Sequence, residues 1–265
     1  VLRGADLSGR NVLITGASGG LGAETALAAA QLGANLILTA RSQDGLENTA
    51  GKIREAEYPV EVTLLAGDLS NGAFCSDLTR KVTEAGPLHG VVLNAAQIEP
   101  IGMVEDLDEE EWLRCVQLNL GSPFLVAKRL LPALSQTQGR LITVGTGAAT
   151  QPIPSWSAYC ASKAALLMLM RVIAVEKPEI TSFSFAPGVV NTAMQQNIRD
   201  RKEMMPAQLA EYFSELHKSG QLEPPEVPGR ALAWCALNAP PEWTGQEVVY
   251  SDPGLVTQVR AAFGA

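Results

Sequence analysis

Short apolar runs alternate with helix-like stretches along almost the whole chain. Seven strand-like runs lie at 11–15, 35–40, 60–66, 90–94, 140–144, 181–186 and 246–250, and most of them are nearly continuous in apolar residues. Such runs are typical of parallel strands buried on both faces of a sheet. The main helical stretches between them lie at 20–32, 43–57, 71–85, 108–134 and 157–176. The alternation predicts an α/β fold, in which a doubly wound parallel seven-stranded sheet carries helices on both faces.

The composition indicates an acidic globular protein of 265 residues. Hydrophobic residues make up 46% and charged residues 18%, which excludes intrinsic disorder. The net charge of −8 argues against nucleic acid and anionic membranes as partners, because both need a basic face. The most apolar stretch, 164–175, is interrupted by Arg171, so we expect no transmembrane helix. Pro and Gly are spread evenly, which predicts one domain over 1–265.

Cysteine and histidine usage limits the chemistry further. The four cysteines are Cys75, Cys115, Cys160 and Cys235. They form no Cys-x-x-Cys pair and are too few for a disulfide scaffold, so we predict a reduced, cytoplasmic protein without a metal site. Only two histidines occur, and most metal sites and hydrolytic triads need this residue.

The first strand runs directly into a glycine-rich turn and a helix. Residues 15–22 read Thr-Gly-Ala-Ser-Gly-Gly-Leu-Gly. Glycines let the chain turn sharply and bring backbone N–H groups close to a pyrophosphate at the helix N-terminus. The candidate cofactor-binding residues of this turn are Gly16, Ser18, Gly19, Gly20, Leu21 and Gly22. The alternative interpretation is a glycine-rich turn that binds nothing.

The same residues also match the Gly-x-Ser-x-Gly pattern of a hydrolase nucleophile. In that hypothesis Ser18 attacks an ester, with His89 or His217 as the base. It is the less favoured hypothesis, because the hydrolase turn normally follows several strands and this one follows the first.

Three further strand ends carry candidate cofactor contacts. NAD-binding folds place an acidic residue after the second strand, whereas this chain has Arg41 there, which would pair with a 2′-phosphate and favour NADP. An exposed arginine without a ligand is the alternative. Asp68 and Leu69 follow the third strand, where they would reach an adenine ring. Asn94 and Ala95 follow the fourth strand and would line the cofactor groove.

Tyr159 and Lys163 are spaced i, i+4 and therefore share one helix face. A phenol has a pKa near 10, and a nearby ammonium would lower this pKa. The pair therefore suits proton donation to a carbonyl oxygen whose carbon accepts a hydride. The alternative is an ordinary contact within a helix.

The segment 192–227 is about twice as long as a usual connection and follows the carboxyl end of a strand. It is rich in methionine and aromatic residues, which predicts a mobile cover over a substrate pocket. A surface excursion that packs on the body is the alternative.

The order of these motifs resembles the short-chain dehydrogenase/reductase family. The shared elements are Thr-Gly-x-x-x-Gly-x-Gly at 15–22, Asn-Ala-Ala at 94–96, Asn119, Tyr-x-x-x-Lys at 159–163 and Pro-Gly at 187–188. The resemblance covers almost the whole chain and implies a Rossmann-type sheet that binds NADP(H).

The resemblance also implies roles for the candidate catalytic residues. Tyr159 would be the general acid, and Lys163 would tune Tyr159 and hold the nicotinamide ribose. Asn119 would bind a water molecule that links Lys163 to solvent. Thr146 stands thirteen residues before Tyr159, where the family usually has Ser. Threonine keeps the hydroxyl, so it should still orient the substrate carbonyl.

The family's cofactor contacts carry over to two further places. Asn94 would stabilise the central strand, and the loop after the sixth strand would hold the nicotinamide carboxamide. The candidate residues of this loop are Pro187, Gly188, Val190 and Thr192. Gln97 departs from the family pattern, which has Gly there.

A narrower resemblance concerns the second half of the chain. The segments 155–159, 186–195 and 250–253 resemble fungal benzil reductases, which are relatives of sepiapterin reductase. This implies NADPH-dependent reduction of one carbonyl of an aryl 1,2-diketone, a small-molecule substrate. The apolar helix 157–176 suggests a homodimer or homotetramer. An NADP-binding sensor without turnover is the alternative function.

Overall fold

Seven parallel strands form one sheet in the computed structural model, which describes residues 9–264. The strands are β1 (Asn11–Thr15), β2 (Asn35–Ala40), β3 (Val62–Ala66), β4 (Leu88–Leu93), β5 (Arg140–Val144), β6 (Thr181–Ala186) and β7 (Glu247–Val249). Their order in the sheet is β3-β2-β1-β4-β5-β6-β7. The predicted sheet is thus confirmed. Residues 1–8 and 265 of the predicted domain lie outside the described part.

Ten α-helices are present in the described part of the chain. They are α1 (Gly20–Gln31), α2 (Gln43–Glu55), α3 (Gly72–Glu84), α4 (Glu109–Val116), α5 (Ser122–Thr137), α6 (Ser157–Glu176), α7 (Ala193–Asp200), α8 (Ala207–Lys218), α9 (Glu226–Asn238) and α10 (Pro253–Phe263). Side-chain caps fix several helix starts. Ser42 accepts a hydrogen bond from the Gly45 N–H before α2, and Asp108 accepts one from the Glu111 N–H before α4.

The helices cover both faces of the sheet, as the continuous apolar strands predict. Along β1, Val12 and Ile14 point to the layer formed by α1, α2 and α9, while Leu13 points to the layer of α3, α5 and α6. All three side chains are fully buried. The strand order reverses between β1 and β4, and in such sheets the ligand crevice lies at the carboxyl ends of the strands at this point.

The expected single helix over 108–134 was wrong. The structure divides it into α4, a π-helical segment Gln117–Gly121 and α5. Pro123 explains the break, because proline has no N–H with which to continue the hydrogen-bond ladder of the preceding turn. The irregular turn places Asn119 in the interior of the protein.

Helix α6 is the most apolar element of the fold. By length and composition alone it could cross a membrane, with a mean hydropathy of 1.6 over its best window. Core helices of soluble proteins pass the same test, and α6 packs against β6 and α4. Two polar side chains of α6, Tyr159 and Lys163, are buried inside the protein.

Candidate active site

The glycine-rich turn connects β1 to α1, and hydrogen bonds attach it to the residues that follow β4. Gly16 has φ +68°, in the left-handed region that favours glycine. Asn94 donates from Nδ2 to the Thr15 carbonyl at 2.9 Å and to the Gly16 carbonyl at 3.3 Å. The Ala95 N–H donates to the Thr15 hydroxyl at 3.0 Å. These bonds of Asn94 hold the end of β1 against the turn.

Gly22 packs its backbone against the same turn, which gives a testable prediction. A Cβ atom at Gly22 would lie 2.6 Å from Asn94 Nδ2 and closer still to the Gly16 carbonyl oxygen. We expect Gly22→Ala to lower the free energy of unfolding by about 3 kcal/mol, because backbone must shift. Gly19→Ala is the matched control, since a Cβ there meets nothing within 4 Å and φ is extended. Urea unfolding of both variants checks this, and equal midpoints would contradict it.

The N-terminus of α1 faces open space beside this turn. It has no side-chain cap and no acidic residue in its first turn, so its N–H groups and positive dipole end are available to an anion. Gly19 is exposed and Ser18 is half-buried. The Leu21 side chain points into the core, so only its backbone can contribute to anion binding.

The ends of β2 and β3 carry Arg41 and Asp68 at the surface. Arg41 is exposed, and its charge lowers the pKa of Asp68 slightly, after the larger effect of the hydrogen bond from the Ser70 N–H. Leu69 corrects an expectation, because its side chain is only 4% exposed and packs in the core under α3. Its side chain therefore cannot reach an adenine ring from this position.

The loop after β6 lies directly beside the glycine-rich turn. A Cβ atom at Gly20 would lie 3.1 Å from the Thr192 methyl group, so the two loops face each other across a narrow gap. Gly188 has φ +78° and contacts the Tyr250 ring. Pro187 and Val190 are buried beneath the loop.

Tyr159 and Lys163 are brought together on α6, below the carboxyl ends of β4 and β5. The Lys163 Nζ lies 5.6 Å from the Tyr159 ring centroid and donates to the Val144 carbonyl at 2.9 Å. Tyr159 is 8% exposed and Lys163 is 4% exposed. An ammonium has three N–H donors, and the structure gives Lys163 one acceptor among the described residues, so two donors remain available.

The pKa of Tyr159 corrects the expectation that Lys163 lowers it. Burial raises the pKa of this phenol above its ordinary value, and Thr146 opposes that effect as a hydrogen-bond partner. Burial also lowers the pKa of Lys163 to about 8. The hydrogen bond of the lysine Nζ goes to a backbone carbonyl, and the net effect on the pKa of Tyr159 is set by burial.

Thr146 lies beside the Tyr159 phenol, where the resemblance to the family places it. Its hydroxyl also accepts a hydrogen bond from the Ala148 N–H at 3.3 Å. The structure thus places two hydroxyl groups, Thr146 and Tyr159, next to each other at the end of β5.

Asn119 is buried next to the helix face that carries Lys163. Its Nδ2 donates to the Gln97 carbonyl at 2.8 Å and to Ser162 Oγ at 3.2 Å, and its Oδ1 accepts from the Gln97 N–H at 2.9 Å. Both ends of the amide are thus bonded to protein groups, and Oδ1 keeps a second acceptor site. Its backbone carbonyl lacks the normal helical donor, because the residue four positions later is Pro123.

An aromatic and apolar cluster covers Tyr159. The Trp156 ring meets the Tyr159 ring edge-on at 6.0 Å and stacks on the Phe213 ring at 5.3 Å. Phe213 belongs to α8, which lies with α7 in the segment expected to be a cover. Met205 and Ile198 of the same segment pack into this cluster.

A polar contact fastens this segment to the loop after β4. The Asn197 Nδ2 donates to the Glu99 carboxylate at 2.5 Å, and the Arg201 guanidinium lies 3.6 Å from the same carboxylate. Glu99 was not among the residues singled out from the sequence. Trp156 lies in the segment 155–159 noted there, but its contact with Tyr159 was not predicted.

The structure separates the residues of the hydrolase hypothesis. His89 lies at the start of β4, at the opposite end of the sheet from Ser18, and its Nδ1 accepts the Asn11 N–H at 3.1 Å. His217 is exposed near the end of α8. The Ser18–His89 pair of the less favoured hydrolase alternative is therefore not formed.

The chain matches the family model described as short chain dehydrogenase over residues 10–203. An uncharacterized oxidoreductase of Schizosaccharomyces pombe is 36% identical over 247 residues, which are 92% of this chain and 97% of that protein. A benzil reductase ((S)-benzoin forming) of Saccharomyces cerevisiae is 30% identical over 261 residues, covering 93% of this chain and 98% of that protein.

Solved structures agree with this relationship. The structure of the enzyme KRED1-Pglu is 33% identical with a TM-score of 0.85, covering 90% of this chain and all of that one (100%). An actinorhodin polyketide ketoreductase solved with NADPH is 25% identical with a TM-score of 0.79, covering 93% of this chain and 97% of that one.

Proposed function

The chain belongs to the short-chain dehydrogenase/reductase family and is an oxidoreductase, and from this premise we propose that it is an NADPH-dependent carbonyl reductase. The observation that carries the proposal is the Tyr159–Lys163–Thr146 group at the strand ends beside an open helix N-terminus. A proton donor and an anion-binding turn are the two features that such a reaction needs.

The residues at the strand ends fit NADP(H). The uncapped N-terminus of α1 would receive the pyrophosphate, with backbone groups of Gly16, Ser18, Gly19, Gly20, Leu21 and Gly22 around it. Arg41 would pair with the 2′-phosphate, and Asp68 would lie at the adenine side. The two unused Lys163 donors would bind ribose hydroxyls. When bound, NADPH supplies the hydride that reduces the carbonyl carbon.

The remaining candidates complete the same groove. Asn94 and Ala95 form its floor through their bonds to Thr15. The loop that contains Pro187, Gly188, Val190 and Thr192 would close it on the nicotinamide side, because Thr192 already meets Gly20.

Tyr159 would give its proton to the carbonyl oxygen. Its phenol is protonated at neutral pH, and the hydrogen bond with Thr146 opposes the rise in pKa that burial causes. Thr146 would hold the same oxygen with its hydroxyl. We propose that Asn119 positions the chain around Lys163, and that its backbone carbonyl rather than its side chain meets a water molecule there.

The segment 192–227 would exclude water and admit the substrate. It packs Met205 and Phe213 over Tyr159, which leaves the phenol 8% exposed. A substrate with two aryl rings therefore requires the segment to move before it can reach Tyr159. We propose that the chain is one catalytic domain and that the segment 192–227 covers its substrate pocket.

An aryl 1,2-diketone is the proposed substrate class. Two observations support it: the similarity to a benzil reductase over nearly the whole chain, and an aromatic wall of Trp156 and Phe213 next to Tyr159. Aromatic side chains favour stacking on aryl rings of a substrate. The sensor alternative has less support, because pure binding of NADP needs no buried proton donor.

A coupled absorbance assay tests the proposed function. Purified enzyme with NADPH is mixed with benzil, a quinone, a pterin or a simple aryl ketone, and loss of NADPH absorbance is followed. We expect steady consumption with benzil and benzoin as the product. Binding of NADPH without turnover on any carbonyl compound would support the sensor and contradict the reductase.

The pKa of Lys163 predicts how NADPH binding depends on pH. The ammonium is present below about pH 8 and is lost above it, because burial lowers the pKa from 10.5. If Lys163 binds the ribose as a cation, the Kd for NADPH should rise by up to about tenfold per pH unit above pH 8. Fluorescence titration at pH 7, 8 and 9 measures this. Lys163→Met should bind weakly with a flat profile, and a flat wild-type profile would refute the role.

The quaternary structure and location are also proposals. Helix α6 exposes Met168, Val172 and Val175 on its outer side, and Val175 is 82% exposed. We propose that this face joins copies of the chain in a homodimer or homotetramer. The four free cysteines fit the cytoplasmic location expected from the sequence.

A further inference from the structure

The indole N–H of Trp156 is buried without an acceptor among the described residues. The side chain is 5% exposed, and its Nε1 makes no hydrogen bond to any of those residues. Buried donors are almost always satisfied, because leaving one unpaired loses its hydrogen bonds to water without replacement. The unpaired Nε1 therefore requires an acceptor that residues 9–264 do not supply.

Four other buried side-chain atoms in the described residues also lack partners. They are the hydroxyl oxygens of Thr39, Thr143, Ser182 and Thr244. Three of them stand within strands, and the fourth lies in the connection between α9 and β7. Trp156 differs, since it lies one helical turn from Tyr159 and its ring contacts the Tyr159 ring.

The surroundings of Trp156 fix its ring in place. Phe213 stacks on the indole at 5.3 Å with 17° between the ring planes, and the Tyr159 ring stands nearly perpendicular to it at 87°. Ile98, Ile101 and Met205 belong to the same apolar cluster. A fixed donor in apolar surroundings distinguishes strongly between a substrate with an acceptor at that point and one without.

We propose that Trp156 is a specificity-determining residue whose Nε1–H donates a hydrogen bond to the second oxygen of a 1,2-dicarbonyl substrate. This inference rests on the proposed function and narrows its substrate class. Tyr159 donates its proton to the oxygen of the carbonyl that is reduced. Trp156 keeps its own proton and holds the neighbouring carbonyl oxygen, so only substrates with vicinal oxygens use both donors.

The experiment compares two substrates on two variants. Benzil carries two adjacent carbonyls, and benzyl phenyl ketone has the same rings with one carbonyl replaced by a methylene. Trp156→Phe keeps an aromatic ring against Phe213 but removes the N–H. We expect it to lower kcat/KM for benzil at least about tenfold relative to the ketone. Phe213→Leu keeps the N–H and loses the stacking, so it should affect both substrates equally.

The compared quantity is the ratio of kcat/KM for benzil to kcat/KM for benzyl phenyl ketone. The higher intrinsic reactivity of benzil affects this ratio equally in the wild-type enzyme and in the variants, so it cancels. An unchanged ratio in Trp156→Phe would overturn the inference while leaving the reductase intact. Failure of the wild-type enzyme to reduce either compound would instead overturn the proposed function.

A crystal structure of the wild-type enzyme with NADP⁺ and benzoin provides a second measurement that needs no variant. The inference predicts Trp156 Nε1 within about 3.2 Å of the benzoin oxygen that was not reduced. An indole nitrogen bonded only to a water molecule or to protein in that complex would also overturn it.

Discussion

Replacing Tyr159 by phenylalanine should reduce kcat for carbonyl reduction about 10³-fold while NADPH still binds. A positioned proton donor contributes about 10²–10⁴-fold to such a reaction. The substitution removes only the hydroxyl, because phenylalanine fits the buried site against Trp156. Steady-state kinetics with benzil and fluorescence titration with NADPH measure the two effects separately.

Tyr58→Phe is the matched control for this loss. Tyr58 is partly buried against the core between α2 and β3, far from the strand ends that carry the candidate site. Its variant should keep wild-type kcat. A Tyr159→Phe enzyme with near-normal turnover would refute the assignment of the general acid, provided that its unfolding temperature matches the wild-type value.

Arg41→Asp should reverse the preference between the two nicotinamide cofactors. Arg41 is exposed at the end of β2, and hydrogen bonds between charged groups contribute about 1.5–3 kcal/mol. The loss of these bonds and the new repulsion of the 2′-phosphate should lower kcat/KM for NADPH about 10²-fold. The introduced carboxylate can accept from a free ribose 2′-hydroxyl, so kcat/KM for NADH should rise.

The control must separate a local contact from the general effect of charge. Arg54→Asp makes the same charge change near the end of α2, where Arg54 is exposed and lies 3.9 Å from Glu47. At fixed ionic strength it should leave the NADPH/NADH ratio nearly unchanged. If Arg41→Asp and Arg54→Asp shift the ratio equally, Arg41 does not contact the phosphate.

The sheet could be predicted because its strands are almost continuous in apolar residues. A strand buried on both faces needs apolar side chains at successive positions, as in the run Val12–Leu13–Ile14. The sequence did not predict that the helical stretch after β4 is divided. Its apolar pattern continues through Gln117–Gly121, although the backbone there changes to π-helical hydrogen bonding. Pro123 was the visible reason for the change.

The candidate site was predicted as a set of residues but not as a set of contacts. Helical spacing predicted that Tyr159 and Lys163 share one face, and the resemblance to the family added Thr146. The pKa of Tyr159 and the partners of Asn119 depend on burial and on backbone groups distant in sequence. Such properties arise only when the chain is folded.

The most direct test of carbonyl reduction traces the hydrogen that is transferred from C4 of NADPH to the carbonyl carbon. Wild-type enzyme is supplied with benzil and NADPH that carries deuterium at one of the two C4 positions, and the benzoin is analysed by mass spectrometry. Our account predicts one deuterium on the carbinol carbon from one C4 epimer, and none when unlabelled NADPH is used in D₂O. Benzoin without label from either epimer, or no benzoin at all, would contradict it.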